Sequence, residues 1–258
     1  MAVMNIYLRV NWNEFVMEIG KKMIEENQVL TSKIAWSSDQ VSFFWDWMSE
    51  NSPDYFTEHA GRGILSKAKQ LLPESTEKVL DFGSGPGFLT KLLAEEFSDV
   101  FALDYSQESL QKLKKRVPAV SQVFLYSNAA QYESVKVDAV FLIETIEHLD
   151  PTMKEEVFAK IKKLLSPGGK LFVSCPNEED LLSNTVCCPS CRSEFHRMQH
   201  VGSYSQETLS AELQDFGFTV ETVGVTNFKY GRFGQKIREL FSPIRGRKLP
   251  HLYAFASV

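Results

Sequence analysis

From Lys78 onward, short apolar runs alternate with segments of helix-forming composition, and this alternation constrains the fold more than any other feature of the chain. A run such as KVLDFG is too short for a helix and ends in glycine, as a buried strand does. Strands that alternate with helices of about 10–15 residues are typical of βαβ units, whose parallel sheet is covered on both faces. The sequence therefore predicts an α/β fold with a mostly parallel, seven-stranded sheet. The expected strands are KVLDFG, VFALD, SQVFLYS, VDAVFLI, GGKLFVSC, TVETVGV and PHLYAFASV.

Residues 11–72 have a different character. The segments EFVMEIGKKMIEEN and HAGRGILSKAKQLL carry apolar residues at helical spacing. The segment between them is rich in aromatic side chains, which would form either a lid over a pocket or a packed helical layer. We expect a helical cap over 1–74 and an α/β domain over 75–258. The aromatic residues are Phe43, Phe44, Trp45, Trp47, Tyr55 and Phe56.

The net charge argues against a generic polyanion binder. The chain of 258 residues has a formal charge of -5 and is 43% hydrophobic, which is ordinary for a globular protein. One local exception is the segment 229–248, which carries seven Lys or Arg side chains and one acid, Glu239. This segment is either a solvated loop or a contact for an anionic substrate or nucleic acid.

Other features of the sequence indicate the cellular compartment of the protein. No run of about 18 apolar residues is present, and the N-terminal residues lack the pattern of a secretory signal. Three of the four cysteines are clustered within 187–191, which is unlike a disulfide framework in a chain of this size. These features predict a cytoplasmic protein without a membrane span.

The motif VLDFGSGPG follows the first strand of the alternating region and opens a helix. Its glycines, Gly83, Gly85 and Gly87, permit a tight turn and a close approach of the backbone to a ligand. Asp81 precedes them by two residues; a carboxylate there disfavours a pyrophosphate and suits a cationic ligand. Asp104 ends the second strand, where an acid can accept hydrogen bonds from both hydroxyls of a ribose.

Together these residues resemble the class I S-adenosylmethionine-dependent methyltransferases over roughly 75–225. The resemblance implies a Rossmann-like methyltransferase fold, with the glycine loop under the methionine part of the cofactor S-adenosylmethionine. It implies that Asp81 contacts the amino group of the cofactor, that Asp104 binds the ribose and that Tyr105 lies near the adenine. Asn128 occupies the position where the family usually has an acidic or amide residue facing the adenine amine; many members have Asp there.

The segment FLIETIEHLDP follows the fourth strand, at the edge of the sheet where open α/β folds bind ligands. The pKa of a histidine suits it to accept a proton from an attacking hydroxyl or amine, so His148 is the predicted base and Glu147 the residue that orients it. The alternative is that both side chains only make local hydrogen bonds in a short helix.

The pattern E-x-x-E-H, from Glu144 to His148, resembles two subsets of the family. One is the small-molecule O-methyltransferases of quinone biosynthesis. The other methylates the 2′-hydroxyl at the 3′ ends of small RNAs, and its pattern binds a divalent metal together with a downstream histidine. His200 occupies the comparable downstream region here.

The segment CCPSCRSEFHRMQH has the spacing C-x2-C-x4-H-x3-H through Cys188, Cys191, His196 and His200. Four soft or borderline ligands at this spacing suit a tetrahedral, structural zinc ion in an insert at about 178–203. Two alternatives remain: a hard-metal site that uses Glu144, Glu147, His148 and His200, and no metal at all, with the cysteines as small hydrophobes.

These features predict an S-adenosylmethionine-dependent methyltransferase that transfers a methyl group to oxygen or nitrogen of a small molecule. The alternatives are a metal-dependent RNA 2′-O-methyltransferase and a non-catalytic binding domain of the same fold. A small-molecule acceptor is the expected partner, and nucleic acid is less favoured. The acceptor itself and the oligomeric state do not follow from the sequence, because fold-level analogy does not fix an acceptor pocket.

Overall fold

The structure is a computed structural model that describes residues 32–33, 36–51, 55–230, 234 and 248–258. The chain divides into two compact units, Met1–Ile34 with Val186–Phe195 and Ala35–Thr185 with His196–Val258. The predicted helix over 14–27 lies outside the described residues, as do 231–233 and 235–247 of the basic segment.

The regular elements follow the predicted alternation. The α-helices are α1 Ser38–Asn51, α2 Phe56–Ala68, α3 Phe88–Glu96, α4 Gln107–Arg116, α5 Pro151–Leu164 and α6 Gln206–Asp215. The strands are β1 Ser32–Lys33, β2 Lys78–Phe82, β3 Asp99–Asp104, β4 Gln122–Leu125, β5 Val137–Ile143, β6 Leu165–Pro176, β7 Thr185–Cys187, β8 Ser193–His196, β9 Thr219–Thr226 and β10 His251–Ser257. Short 3₁₀ helices cover Ala129–Gln131, Ile146–His148 and Leu182–Asn184.

Side-chain caps fix where three of the helices begin. The Ser106 hydroxyl accepts a hydrogen bond from the backbone N–H of Ser109 at the start of α4. Asp150 caps α5 in the same way and is followed by proline at the first helical position. Ser205 forms a capping box at the start of α6. These caps satisfy N–H groups that have no partner within the helix, so they define the loop-to-helix junctions.

Seven strands form the main sheet in the order β4-β3-β2-β5-β6-β10-β9. The pairs from β4 to β6 are parallel, whereas β10 is antiparallel to both β6 and β9. A separate three-stranded sheet has the order β1-β8-β7. The predicted seven-stranded, mostly parallel sheet is confirmed.

Both faces of the main sheet are buried, as a parallel sheet requires. Along β5, Val140 and Leu142 pack with apolar residues of α5 and α6, whereas Ala139 and Phe141 pack on the opposite face with residues of α2 and α3. This alternation leaves the carboxyl edge of β2, β3 and β5 as the place where loops can build a site.

Candidate active site

A cavity of about 290 Å³ lies at the carboxyl edge of the main sheet. The last residues of β2, β3 and β5, which are Phe82, Asp104 and Ile143, contribute to its lining. Helix α1 covers part of the cavity with Val41, Trp45 and Met48. The glycine loop lines one wall, and the segment after β5 lines another.

The glycine loop has the tight geometry that its sequence predicts. Gly83, Gly85 and Gly87 have φ values of 76°, 51° and 83°, which are unfavourable for other residues. A Cβ atom on Gly83 would lie 2.5 Å from the Thr145 hydroxyl oxygen, so this position has no room for a side chain. Gly83 and Gly85 line the cavity, whereas Gly87 is not among the lining residues and begins α3.

Asp104 is bonded to the glycine loop itself. Its carboxylate accepts hydrogen bonds from the backbone N–H of Gly85 at 2.7 Å and of Ser106 at 2.8 Å. Burial raises the pKa of Asp104 to about 6, and these backbone donors oppose the shift. The structure therefore fixes the orientation of a carboxylate that lines the cavity.

Asp81 lies behind the loop and is not among the residues that line the cavity. It is buried and accepts a hydrogen bond from the Thr90 hydroxyl at 2.6 Å. Burial raises the pKa of this carboxyl group to about 7. Of the other two predicted cofactor residues, only Tyr105 lines the cavity, and its ring stacks on Tyr126 at 3.9 Å between ring centroids. Asn128 is exposed and does not line the cavity.

Glu147 is buried in the wall formed by the segment after β5, within the 3₁₀ helix Ile146–His148. Its backbone carbonyl accepts hydrogen bonds from Val201 and Gly202, which hold the 3₁₀ helix against the chain after β8. Neither carboxylate oxygen has a hydrogen-bond partner among the residues that the structure describes. Burial raises the pKa of Glu147 well above its usual value, and the nearby carboxylate of Glu144 adds to the rise.

His148 lies between aromatic rings and carboxylates. Its ring makes edge-to-face contacts with Trp45 at 4.8 Å and with His200 at 4.7 Å between ring centroids. Its Nε2 atom is 3.9 Å from Oε1 of Glu147, and its buried Nδ1 has no hydrogen-bond partner within the described part of the chain. Burial, followed by the nearby His200, lowers the pKa of His148 to about 3, so the ring is neutral at pH 7.

The two downstream histidines share a carboxylate that sequence reasoning missed. Glu179 lies with one oxygen 3.3 Å from Nε2 of His196 and the other 2.5 Å from Nδ1 of His200. The histidine rings stack at 4.4 Å between centroids. His200 lines the cavity and His196 does not. A sequence signal for Glu179 is its position three residues after β6 ends, but it is one of several acids there.

The structure brings together two groups of side chains that could hold a metal ion. They are Glu147 with His148 and His200, and Glu179 with His196 and His200; in each group the ligand atoms lie within 4.8 Å of one another. Glu144 is anchored beside them, since its Oε1 accepts a hydrogen bond from the Ser174 hydroxyl at 2.8 Å.

Cys188 and Cys191 belong to the other compact unit. There the backbone N–H of Cys188 donates to the carbonyl of Ser193, and the N–H of Arg192 donates to the carbonyl of Cys188. The C-P-S-C sequence is therefore a closed turn between β7 and β8. The zinc assignment to these cysteines with His196 and His200 stays a prediction.

The chain belongs to a methyltransferase family. The family model described as a methyltransferase domain matches residues 56–223. The predicted family membership is thereby confirmed, and it accounts for the glycine loop and the position of Asp104.

Individual relatives agree with this family. An uncharacterised methyltransferase of Mycobacterium tuberculosis is 32% identical over 101 residues, which cover 39% of this chain and 40% of that protein. A ubiquinone biosynthesis O-methyltransferase of Idiomarina loihiensis is 28% identical over 62% of this chain and 67% of that protein. The solved structure of a DhpI-SAH complex has a TM-score of 0.60 at 16% identity, with 85% of this chain and 95% of that chain covered. The matched region thus spans about 40% of the first curated relatives.

Within the ranges that the structure describes, no helix has both the length and the apolar character needed to cross a bilayer.

Proposed function

We propose that this protein is an S-adenosylmethionine-dependent methyltransferase that methylates oxygen or nitrogen of a small-molecule acceptor. The observation that carries the proposal is a single cavity with two chemically different walls. The glycine loop and Asp104 form one wall, and Glu147, His148 and His200 form the other. The family match supports the activity, and the O-methyltransferase relative supports an oxygen acceptor.

The cofactor wall fits S-adenosylmethionine. Gly83 and Gly85 bring bare backbone to the cavity. The Asp104 carboxylate uses two of about four acceptor positions on Gly85 and Ser106, which leaves lone pairs for the ribose hydroxyls. The buried Ser84 hydroxyl lines the same wall and has no hydrogen-bond partner among the described residues, so a polar ligand group would satisfy it. When bound, the cofactor supplies an electrophilic methyl group on sulfur.

Within this proposal, Asp81 favours the cationic end of the cofactor from behind the loop, and Tyr105 packs near the adenine. Asn128 is the least supported of the predicted contacts, since its exposed side chain does not line the cavity.

The acceptor wall would orient and deprotonate the acceptor. The low pKa makes His148 a neutral imidazole that can accept a hydrogen bond from a hydroxyl or amine. Glu147, whose pKa is raised, is a stronger base than an ordinary carboxylate once it is ionised. We therefore propose that His148 and Glu147 act as a pair: the imidazole accepts the proton that the acceptor loses as its oxygen or nitrogen attacks the methyl group, and the ionised carboxylate stabilises the resulting imidazolium. The aromatic face of α1 would exclude water from this wall.

Titration calorimetry with S-adenosylmethionine tests the cofactor assignment. Loss of hydrogen bonds to a charged group costs about 1.5–3 kcal/mol, so Asp104→Ala should weaken binding by roughly 10- to 100-fold. Asp138→Ala is a matched control, because Asp138 also accepts two backbone N–H groups, from Glu77 and Lys78, but at the opposite end of the strands. Absence of binding by the wild type, or equal losses in both variants, would refute the assignment.

A metal-dependent transfer is a second candidate, favoured by the convergence of Glu147, His148 and His200. Two histidines and a carboxylate are a common ligand set for catalytic zinc, and the partner-free oxygens of Glu147 are suitable ligands. The companion proposal of an RNA substrate depends on the basic segment 229–248, most of which the structure does not describe.

Elemental analysis of the purified protein separates the metal hypotheses. Retention of zinc that is lost in Cys188→Ser supports the structural zinc site. A metal that is lost in Glu147→Ala, together with activity that chelation abolishes, supports the metal-dependent transfer. Metal-free protein that binds the cofactor and turns over counts against both.

A further inference from the structure

The side chain of Gln199 links helix α1 to the acceptor wall. Gln199 is 3% exposed and lies between β8 and α6. Its Oε1 accepts a hydrogen bond from the indole N–H of Trp45 at 3.1 Å. Its amide nitrogen donates to the backbone carbonyl of His148, also at 3.1 Å. One amide therefore bridges the helix over the cavity and the loop that carries His148.

The backbone of Gln199 is strained. Its φ of 58° is in the left-handed region, which is uncommon for residues other than glycine and asparagine. Such strain persists only where surrounding contacts hold it, and it concentrates at ligand clamps and active sites. Both hydrogen bonds of the Gln199 side chain are contacts of this kind.

Helix α1 is otherwise attached mainly to α4, where the Lys112 ammonium group donates to the carbonyl of Ser49 and the backbone N–H of Glu108 lies 3.5 Å from Oδ1 of Asp46. Of its fourteen residues, only Val41 and Ser49 are buried. Asp46 accepts a hydrogen bond from the Ser106 hydroxyl at 2.6 Å, and Ser106 in turn donates its backbone N–H to Asp104. The neighbouring residues Trp45 and Asp46 therefore tie the helix to the acceptor wall and to the cofactor wall respectively.

The cavity under α1 is small for the two ligands that the proposed reaction requires. Its volume of about 290 Å³ lies just below the range of roughly 300–1,000 Å³ for ligand pockets. A cofactor together with an acceptor needs more room, and α1 could move outward by exposing only two buried residues.

We propose that Gln199 is a positioning residue that holds α1 closed over the cavity and sets the Trp45 ring against His148. Release of the Trp45–Gln199 bond would open the acceptor side while Asp46 keeps the helix beside the cofactor wall. The assignment of an acceptor side rests on the proposed methyltransferase function; the bridge between α1 and the His148 loop does not.

Hydrogen exchange of the α1 amides, measured without any ligand, tests the bridge. Gln199→Asn suits the left-handed backbone, but its side chain is one methylene shorter and cannot reach both partners. Trp45→Phe keeps an aromatic ring and removes the donor. Each change should accelerate exchange over 41–49 by about 10-fold, the value expected for one buried hydrogen bond. Trp47→Phe is the matched control, since Trp47 is on the same helix and 53% exposed.

The indole N–H signal of Trp45, identified by its loss in Trp45→Phe, is a direct spectroscopic readout. In Gln199→Asn this signal should shift and exchange with solvent, whereas the signal of Trp47 should not. The double variant should exchange no faster than Gln199→Asn alone, because that change already removes the bond that Trp45→Phe removes.

Three results would overturn the proposal. They are exchange in Gln199→Asn within about twofold of the wild type, additive effects of the two changes, and an unmoved Trp45 indole signal. If Gln199→Asn fails to fold, Trp45→Phe alone carries the exchange test. Failure to bind S-adenosylmethionine would refute the proposed function but would not change the exchange results, which are measured without ligand. Failure of the proposed function and failure of the Gln199 bridge are therefore distinguishable.

Discussion

The two walls of the cavity differ in how their buried ionisable groups are hydrogen-bonded. On the cofactor wall, Asp104 accepts two backbone hydrogen bonds, and Asp81 behind the loop accepts one from Thr90. On the acceptor wall, both oxygens of Glu147 and Nδ1 of His148 have no hydrogen-bond partner in the described part of the chain. The two buried carboxylates at the cofactor wall therefore have partners within the described part of the fold, whereas the Glu147 carboxylate and Nδ1 of His148 do not.

This difference indicates that the acceptor wall lowers the stability of the fold more than the cofactor wall does. An unsatisfied buried polar group costs about 1–3 kcal/mol, and a charged one costs more. The acceptor wall also has two strained backbone positions, Glu144 with φ 46° and Gln199 with φ 58°. Cost of this kind concentrates where a ligand completes the structure. We therefore expect changes on the acceptor wall to alter stability and changes on the cofactor wall to alter ligand affinity.

The largest effect on stability should follow Glu147→Gln. A carboxyl group whose pKa is raised by folding destabilises the native state as the pH increases from the unfolded pKa towards the folded one, because the unfolded chain releases the proton first. The amide has no such penalty. We expect Glu147→Gln to stabilise the protein by about 2 kcal/mol at pH 8 and by much less at pH 5. Thermal unfolding in the presence of a chelator measures both values.

The control for this change is Glu133→Gln, because Glu133 is an exposed carboxylate. It should leave the free energy of unfolding within about 0.5 kcal/mol of the wild type at both pH values. A gain for Glu147→Gln that is the same at pH 5 and pH 8 would show that the buried charge is not its source.

A smaller effect should follow Tyr105→Ala on the cofactor wall. The ring of Tyr105 stacks on Tyr126 and lines the cavity. Aromatic contacts contribute about 0.5–1.5 kcal/mol beyond their buried area, so the variant should bind S-adenosylmethionine roughly fivefold more weakly in calorimetry. Tyr105→Phe keeps the ring and should retain the affinity. Equal losses in both variants would assign the effect to the hydroxyl instead.

The smallest effect should follow Asn128→Ala. Since Asn128 is exposed and does not line the cavity, its replacement should change cofactor affinity by less than about twofold. A larger loss in calorimetry would mean that the loop after β4 moves towards the adenine on binding and forms part of the cofactor wall in the bound state.

Much of the fold could be predicted from the sequence, because the spacing of apolar residues and the glycines that end strands are local signals. The strand ends at Phe82 and Asp104, and the glycines between β2 and α3, are fixed by residues close to them in the chain. The grouping of His148 with His200 could be suspected from the E-x-x-E-H pattern. The contacts of Gln199 could not, because its two partners are 154 and 51 residues away and a glutamine has no characteristic spacing.

The burial of Glu147 likewise depends on the fold. The sequence places an acid beside a histidine, but whether the pair is solvated depends on α1 and on the chain after β8, which cover it. The low pKa of His148 is a consequence of that cover and departs from the near-neutral value that the sequence suggests.

The position of β10 in the main sheet constrains the order in which the strands can pair during folding. In the strand order β6-β10-β9, the described part of β9 joins the sheet only through β10. Because β9 precedes β10 in the chain, neither edge of β9 is paired within the main sheet until β10 forms, and one edge of β6 is open as well. Unpaired strand edges of this kind are prone to association with other chains. The sheet is therefore completed only when β10 pairs with both β6 and β9, and until then the open edges of these two strands are sites for misassembly.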